Sequence, residues 1–465
     1  MHSTDHGSDS AERGWRQLLG PEYLGAMVVL AGGVALYAVN IYLTASLLPS
    51  AVDDIGGERY FAWAATIFLV ASVVSAVLVS RLLAGVGPRW AYLSAIGLFT
   101  AGTLVCAAAP DMLVLLLGRA LQGFGGGLLS GLAYALIRSV LPARLWSRAS
   151  ALVSAMWGIG TFVGPAVGGV FAQFGVWRLA FVTLAVLALA LAALVPRYIP
   201  GERVAEAAVE AIPVRSMLLL ASAALVVSVA SLATRVGVAG AGVLAGLGLL
   251  VVFVVLERRA AVRVLPAVTF VAGNTLKWCY LTIVLLAIAS TAETFVPLFG
   301  QRLGGLTPIA AGFLGSALAV GWTIGEISSA GAARPRAVRA VLVAGPAMVA
   351  LGFLTAASTQ RDAASGSVIA VWALALVVAG AGIGMAWPHL SALVMGSTDD
   401  PVEGGRAAAA INTVQLVSNA FGSALAGVLV NLGGSTVGSA QLLFGTVAVL
   451  AACAAPLAWR AVPVR

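Results

Sequence analysis

Residues 111–138 read DMLVLLLGRALQGFGGGLLSGLAYALIR. From Met112 to Ile137 the run carries a single charge, Arg119. A helix needs about 20 apolar residues to cross the hydrocarbon core of a bilayer. This run is long enough and does not alternate polar and apolar positions, as a barrel strand would in segments of about ten. It reads as a membrane-spanning helix. A charge inside such a helix costs about 2.5–3.5 kcal/mol or more, so Arg119 needs a partner or a task.

The pattern repeats along the 465 residues. Spans are expected near 24–51, 60–83, 89–108, 111–138, 147–172, 177–196, 216–234, 236–256, 274–300, 307–330, 338–358, 366–396, 406–430 and 438–459. These are fourteen, and the third, seventh and eleventh are among the shortest. Hydrophobic residues make up 61% and charged residues 9%, against about 45–50% and 25% in a soluble domain. So few charges cannot cover a water-facing surface. A soluble enzyme, a nucleic-acid binder and a disordered chain are excluded, and the net charge of +8 matters through its distribution.

With the N-terminus in the cytoplasm, nineteen basic residues fall in cytoplasmic segments. Five fall outside: Arg59, Arg178, Arg235, Arg302 and Arg361. Arg119 and Lys277 lie within spans. This positive-inside bias predicts an even number of crossings with both termini cytoplasmic. Lys277 is the one lysine among 26 basic residues, a skew that suggests a GC-rich bacterial genome and hence a bacterial cell membrane. The longest internal loop, 197–215, carries Glu202, Glu206 and Glu210 on one helix face, read as a solvated surface helix. His2 and His6 sit idle in a polar tail.

Cys106, Cys279 and Cys453 stand far apart in apolar stretches, so neither a metal site nor a disulfide framework is expected. No GxxxxGK[ST] loop signals direct ATP drive. No loop is long enough for a catalytic domain. The expectation is a non-enzyme without a cofactor.

Two motifs in consecutive spans carry a resemblance. Span 4 has Leu115-x-x-x-Arg119-x-x-Gln122-Gly123-x-Gly125-Gly126-Gly127, and span 5 has Gly160-x-x-x-Gly164-Pro165-x-x-Gly168-Gly169. Trp177-Arg178 opens span 6, Glu257-Arg258-Arg259 leads through Leu265-Pro266 into span 9, and Gly380-x-Gly382-x-Gly384 with Pro388 occupies span 12. In these features the chain resembles the major facilitator superfamily over essentially residues 22–460. The fourteen spans narrow the resemblance to the drug:proton antiporter branch, and the span-5 motif looks like that family's antiporter motif. The resemblance implies an all-α fold: a cytoplasmic tail over 1–21, a six-helix bundle over 22–196, a linker with two additional transmembrane helices over 197–260, and a second six-helix bundle over 261–465. The first cytoplasmic loop departs from the family pattern. Arg81, Gly87 and Arg89 are present, but Ala84 stands where the family carries Asp. In span 1, Asn40 occupies the branch's acidic position nine residues before Pro49, so no proton site is expected there.

Glu293 is the one acid well within a span. Desolvation and a neighbouring cation act on a carboxyl in opposite directions, so a group balanced between them can take a proton in one state and release it in another. The alternative is a solvated carboxylate at the outer vestibule. Helix rise places Asn40, Arg119 and Glu293 in the outer half. Arg119 serves either as a static hydrogen-bond hub or, as the resemblance implies, in proton coupling. Tyr37, Asn40 and Thr44 share a face of span 1, and Asn412, Gln415 and Asn419 share a face of span 13. With Gln122 and Trp157 they are candidates for a substrate cavity or for interhelical hydrogen bonds. Trp63, Trp278, Trp322 and Trp387 are candidate aromatic walls, the first two better read as interface anchors. Glu326 is expected at the inner interface beside Arg334 and Arg336, Lys277 at the inner headgroups, and His389 as a packed polar residue.

The expected function is proton-driven export of hydrophobic or amphipathic small molecules by alternating access. Substrate, protons and membrane lipids are the expected partners, with no nucleic acid and no obligate protein partner. A dedicated exporter of an endogenous lipid, siderophore or secondary metabolite, a nutrient importer and a non-transporting sensor are the other readings.

Overall fold

The computed structural model describes residues 15–76, 78–142, 145–201, 213–233, 235–260, 262–271, 273–329, 331–332, 334–397 and 401–462. His2, His6, Glu202, Glu206 and Glu210 lie outside them, as does the side chain of Asn412. The described residues form helices and connecting turns. In chain order the helices are α1 (Leu24–Ile55), α2 (Phe61–Ala76), α3 (Val79–Val86), α4 (Pro88–Ala107), α5 (Met112–Val140), α6 (Trp146–Gln173), α7 (Trp177–Tyr198), α8 (Val214–Ala230), α9 (Val236–Glu257), α10 (Leu276–Ser290), α11 (Val296–Gly304), α12 (Pro308–Ser329), α13 (Pro335–Thr359), α14 (Gly366–Met395), α15 (Pro401–Leu432) and α16 (Thr436–Ala461). Among the described residues, thirteen apolar segments are long enough to cross a membrane, with α10 and α11 counting as one, Leu276–Gly304. The 17-residue α8 is a fourteenth, shorter one, where the sequence predicts a short seventh span. The chain is a multi-pass, all-α membrane protein.

The chain divides into two compact units, Met1–Thr44 with Ala71–Ile212 and Ala45–Val70 with Pro213–Arg465. The division runs through α1 and α2 themselves. The 45–70 segment, which includes the loop between them, belongs with the C-terminal helices.

Glycine sets the packing of both units. Lipid supplies no hydrophobic drive between helices, so close backbone approach and dispersion do the work. In the first unit α4 and α5 touch backbone to backbone: a Cβ on Gly102 would stand 2.4 Å from the Gln122 nitrogen, and one on Gly125 2.3 Å from that of Phe99. In the second unit the alternation in Gly380-x-Gly382-x-Gly384 has a direct meaning. Successive helical residues turn by about 100°, so positions 380 and 384 share a face and 382 points away. A Cβ on Gly380 would meet the Leu318 carbonyl of α12 at 1.8 Å, and one on Gly384 that of Trp322 at 1.9 Å. On the other side a Cβ on Gly382 would meet the Gly345 carbonyl of α13 at 2.3 Å. α14 is thus gripped between α12 and α13 by three glycines.

The additional helices α8 and α9 pack as a hairpin, with Gly242 against Ala230 and Gly246 against Val227. At its open end, away from the turn that joins the two helices, the fully buried Glu257 carboxylate accepts from Ser216 Oγ at 2.6 Å and from the backbone N–H groups of Val264 and Leu265, the last at 2.8 Å. One side chain therefore ties α8, α9 and the segment leading to α10. Glu257→Ala leaves those donors unpaired at about 1–3 kcal/mol each. The expected result is a clear drop in the thermal midpoint of purified protein in detergent, with Glu257→Gln losing less because it keeps one acceptor.

Candidate functional site

In the first unit the buried polar residues gather around Arg119, which is 2% exposed. Its guanidinium donates to Gln122 Oε1 at 2.9 Å. Gln122 Nε2 donates to Thr103 Oγ1 at 2.9 Å, and Thr103 donates onward to the Phe99 carbonyl at 2.7 Å. Cys106 Sγ approaches Gln122 Oε1 at 3.5 Å. The arginine of α5 is thereby tied into α4, and Tyr37 of α1 lies within its electrostatic reach. Tyr37 rests over Gly126 and makes an edge-to-face contact with Trp157 of α6, centroids 5.5 Å apart. Asn40 accepts from Thr44 one turn along, at 3.4 Å, while its Nδ2 is buried without a partner. Tyr37, Asn40, Thr44 and Gln122 are all buried in this conformation. Of the candidate cavity residues, the structure brings Tyr37 and Trp157 together and makes Gln122 the link of a network.

The span-5 motif forms one stripe on α6. Cβ atoms on Gly160, Gly164 and Gly168 would strike Ala38, Tyr42 and Leu43 of α1 at 2.7, 2.5 and 2.5 Å. Pro165 and Gly169 are buried beside them. The motif is thus the seat of α1, the helix that carries Tyr37 and Asn40. In the loop motif Gly87 has φ 81°, a left-handed φ that favours glycine. Pro88 opens α4 beside it. Arg89 Nε donates to the Ile199 carbonyl at the end of α7, at 3.1 Å. Arg81 is exposed and Ala84 half-buried.

In the second unit Glu293 sits where the ninth span stops being an α-helix. Residues Thr291–Phe295 form a 3-10 turn between α10 and α11. The cause is local. Pro297 has no N–H to give the carbonyl four residues back, which is that of Glu293, and the Val296 N–H takes it in a tighter bond. A mid-helix 3-10 segment often marks a hinge. The Glu293 carboxylate has its Oε1 buried without a partner. The turn packs against α12, α15 and α16. On α15, Gly422 lies against Thr291 and Ile288, and one turn away Asn419 has its Oδ1 equally buried and unpartnered. Gln415 is half-buried. The sequence predicts a continuous span over 274–300; Pro297 is the local signal of the break.

Two further groups complete this unit. Arg302 pairs with Glu58 and, at 3.6 Å, with Asp53. Around that pair Phe61 packs on Phe295 at 5.2 Å, Trp63 donates to the Ser228 carbonyl at 2.9 Å, and Asn431 donates to the carbonyls of Arg59 and Ser231. These contacts hold the 45–70 segment against the C-terminal helices. Elsewhere, the rings of Trp322 of α12 and Trp387 of α14 lie 5.3 Å apart, and Glu326 stands one turn along α12 from Trp322. Phe313, Ile324 and Ile327 form the exposed apolar stripe of α12. Glu326 lies about 130° around the helix from it, yet is itself exposed. His389 is buried and bonds the Ser329 carbonyl at 3.1 Å, a packed polar residue as expected.

A family model described as Major Facilitator Superfamily matches residues 30–422. A "Probable multidrug-efflux transporter" of Mycobacterium tuberculosis is 52% identical over 446 residues, covering 94% of this chain and 94% of that protein. An uncharacterised MFS-type transporter of the same species is 30% identical over 422 residues, 88% of this chain and 60% of that one. Among solved structures, a D-xylose-proton symporter matches with TM-score 0.66 at 16% identity, over 95% of this chain and 98% of that one. A nucleoside transporter matches with TM-score 0.67 at 12% identity, over 93% and 99%.

Proposed function

This chain belongs to the major facilitator superfamily, and from that premise we propose that it is a proton-coupled exporter of hydrophobic or amphipathic small molecules. In this reading it lies in the bacterial cell membrane with both termini in the cytoplasm and works by alternating access. The efflux relative at 52% identity supports export of drug-like compounds. The observation that carries the coupling is the buried, unpartnered Oε1 of Glu293 at the break in its span. A carboxylate oxygen without a donor is poorly held when ionised in apolar surroundings and well held when protonated, so access to water decides whether the proton leaves. Opening toward the outside exposes Glu293 to protons and opening toward the cytoplasm releases them. Arg119, in its hydrogen-bonded network, acts as the fixed charge of the first unit. The driving force is adequate: about 1.4 kcal/mol per pH unit plus about 2.3 kcal/mol per charge per 100 mV.

Substrate is held by aromatic and polar side chains. Trp322 and Trp387 offer flat apolar faces, and Glu326 offers a carboxyl about 130° around α12 from its exposed apolar stripe. Within the first unit Tyr37 and Trp157 form an aromatic pair of their own on α1 and α6. Transport of fluorescent dyes by inverted vesicles, with and without an imposed pH gradient, tests the reading; accumulation that ignores the gradient overturns it.

The contacts of Arg302 act as the outer seal. Ala62 is 2% exposed, and a Cβ on Gly427 would stand 2.5 Å from its own. In a protein lacking the native cysteines, Ala62→Cys is expected to react slowly with a membrane-impermeant maleimide added from outside. Adding Arg302→Ala speeds the reaction several-fold by opening the seal. An unchanged rate shows that the pair does not hold it.

A further inference from the structure

A cluster of cations at one end of the second unit has no part in the scheme above. Lys277 opens α10, and its Nζ lies 5.4 Å from the Trp278 ring centroid. Arg460 closes α16, and its Cζ lies 5.1 Å from the same centroid. Two positive charges therefore flank one indole. They come from helices that pack along each other, and α16 packs on its other neighbour, α13. In the first turns of α13, Arg339 stands over the Trp459 ring at 5.0 Å and donates to the Val462 carbonyl at 3.1 Å, while its Nε is buried without a partner. Among the described residues none of these three cations has an acidic partner.

The ring faces attract the cations by about 0.5–1 kcal/mol but do not neutralise them. Like charges gathered on three adjacent helices repel unless an anion joins them. The position selects the anion. Lys277 begins one apolar run and Arg460 ends a neighbouring one, and tryptophans at such ends mark headgroup depth. Beside the cations, an exposed stripe runs along α16 from Arg460 through Pro456, Cys453 and Val449. Leu281, one turn after Lys277 on α10, is also exposed. A ligand that fits has a phosphate at one end and an apolar tail at the other.

We propose that Lys277, Arg460 and Arg339, set around Trp278 and Trp459, form a binding site for the phosphate headgroup of an anionic phospholipid. Its acyl chain follows the exposed stripe of α16. Basic pockets between membrane helices bind such headgroups, and Arg339 supplies the one buried donor left open.

The test is native mass spectrometry of the full-length protein, delipidated in detergent and titrated with phosphatidylglycerol, cardiolipin or phosphatidylcholine. Wild type should retain the two anionic lipids in preference to phosphatidylcholine. Each charge removed should lower retention about fivefold, from about 1 kcal/mol per basic residue near an anionic surface, so K277Q/R460Q loses far more than R460Q alone. K277R/R460K should restore it. Arg460 is exposed, so R460Q keeps the test sound if the double variant folds poorly. Equal anionic-lipid retention by wild type and R460Q overturns the site. Displacement of the lipid by millimolar inorganic phosphate also overturns it, by showing that the phosphate alone is recognised.

Discussion

Glu293→Gln is expected to abolish concentrative export while leaving a folded protein. In proteoliposomes with a gradient of two pH units, a carrier moving one proton per cycle can concentrate a neutral substrate about a hundredfold, since each unit is worth tenfold. The glutamine variant should stop at equal concentrations on both sides. It keeps the size of the side chain and removes the titration, so substrate exchange without a gradient should survive. The sign with pH follows. Acidifying the receiving side accelerates wild-type export because Glu293 reloads there, and the variant shows no such dependence. A variant that still concentrates substrate assigns the proton to another group.

The other large effect is structural. Gly380→Ala places a methyl where the backbone carbonyl of Leu318 already stands, 1.8 Å from the Cβ position, and Gly384→Ala does the same at Trp322 with 1.9 Å. Both obstacles are backbone, so α12 and α14 must separate along their length. Overpacking a close-packed contact costs about 1–3 kcal/mol, occasionally more, and here the displaced element is a whole helix that also carries Trp387. The expected result for the pair is loss of monodisperse protein after detergent extraction. Gly240→Ala and Gly248→Ala on α9 are the controls. Nothing lies within 4 Å of either added Cβ, and alanine is the better helix former, so both should purify as wild type does.

These two cases show what could be read from the chain. Span number and order were legible because length and apolarity alone determine them, down to the short seventh span that became the 17-residue α8. The glycines at 380, 382 and 384 stand out in the sequence, yet nothing local names α12 and α13 as the neighbours of their two faces. Glu293 was visible as an isolated acid. Its break was encoded by Pro297 four residues on, but an average of hydropathy passes over a proline. The pairing of Arg302 with Asp53 and Glu58 joins residues far apart in sequence, and no periodicity carries such information. The sequence reads Glu326 as an interfacial charge beside Arg334 and Arg336; its place about 130° from the apolar stripe depends on how α12 is rotated. Glu257 reads as the start of a motif, and its burial under three donors emerges only when α8 and the 264–265 segment fold back on it.

The most direct test of proton-coupled export follows the proton rather than the substrate. In inverted vesicles energised to an acidic interior, the pH gradient is reported by quenching of an acridine dye, and a transported amphipathic compound is then added. Antiport predicts immediate partial recovery of fluorescence, dependent on the compound and absent with Glu293→Gln. Uptake of the compound with no recovery, or uptake that persists after an uncoupler collapses the gradient, would contradict the account.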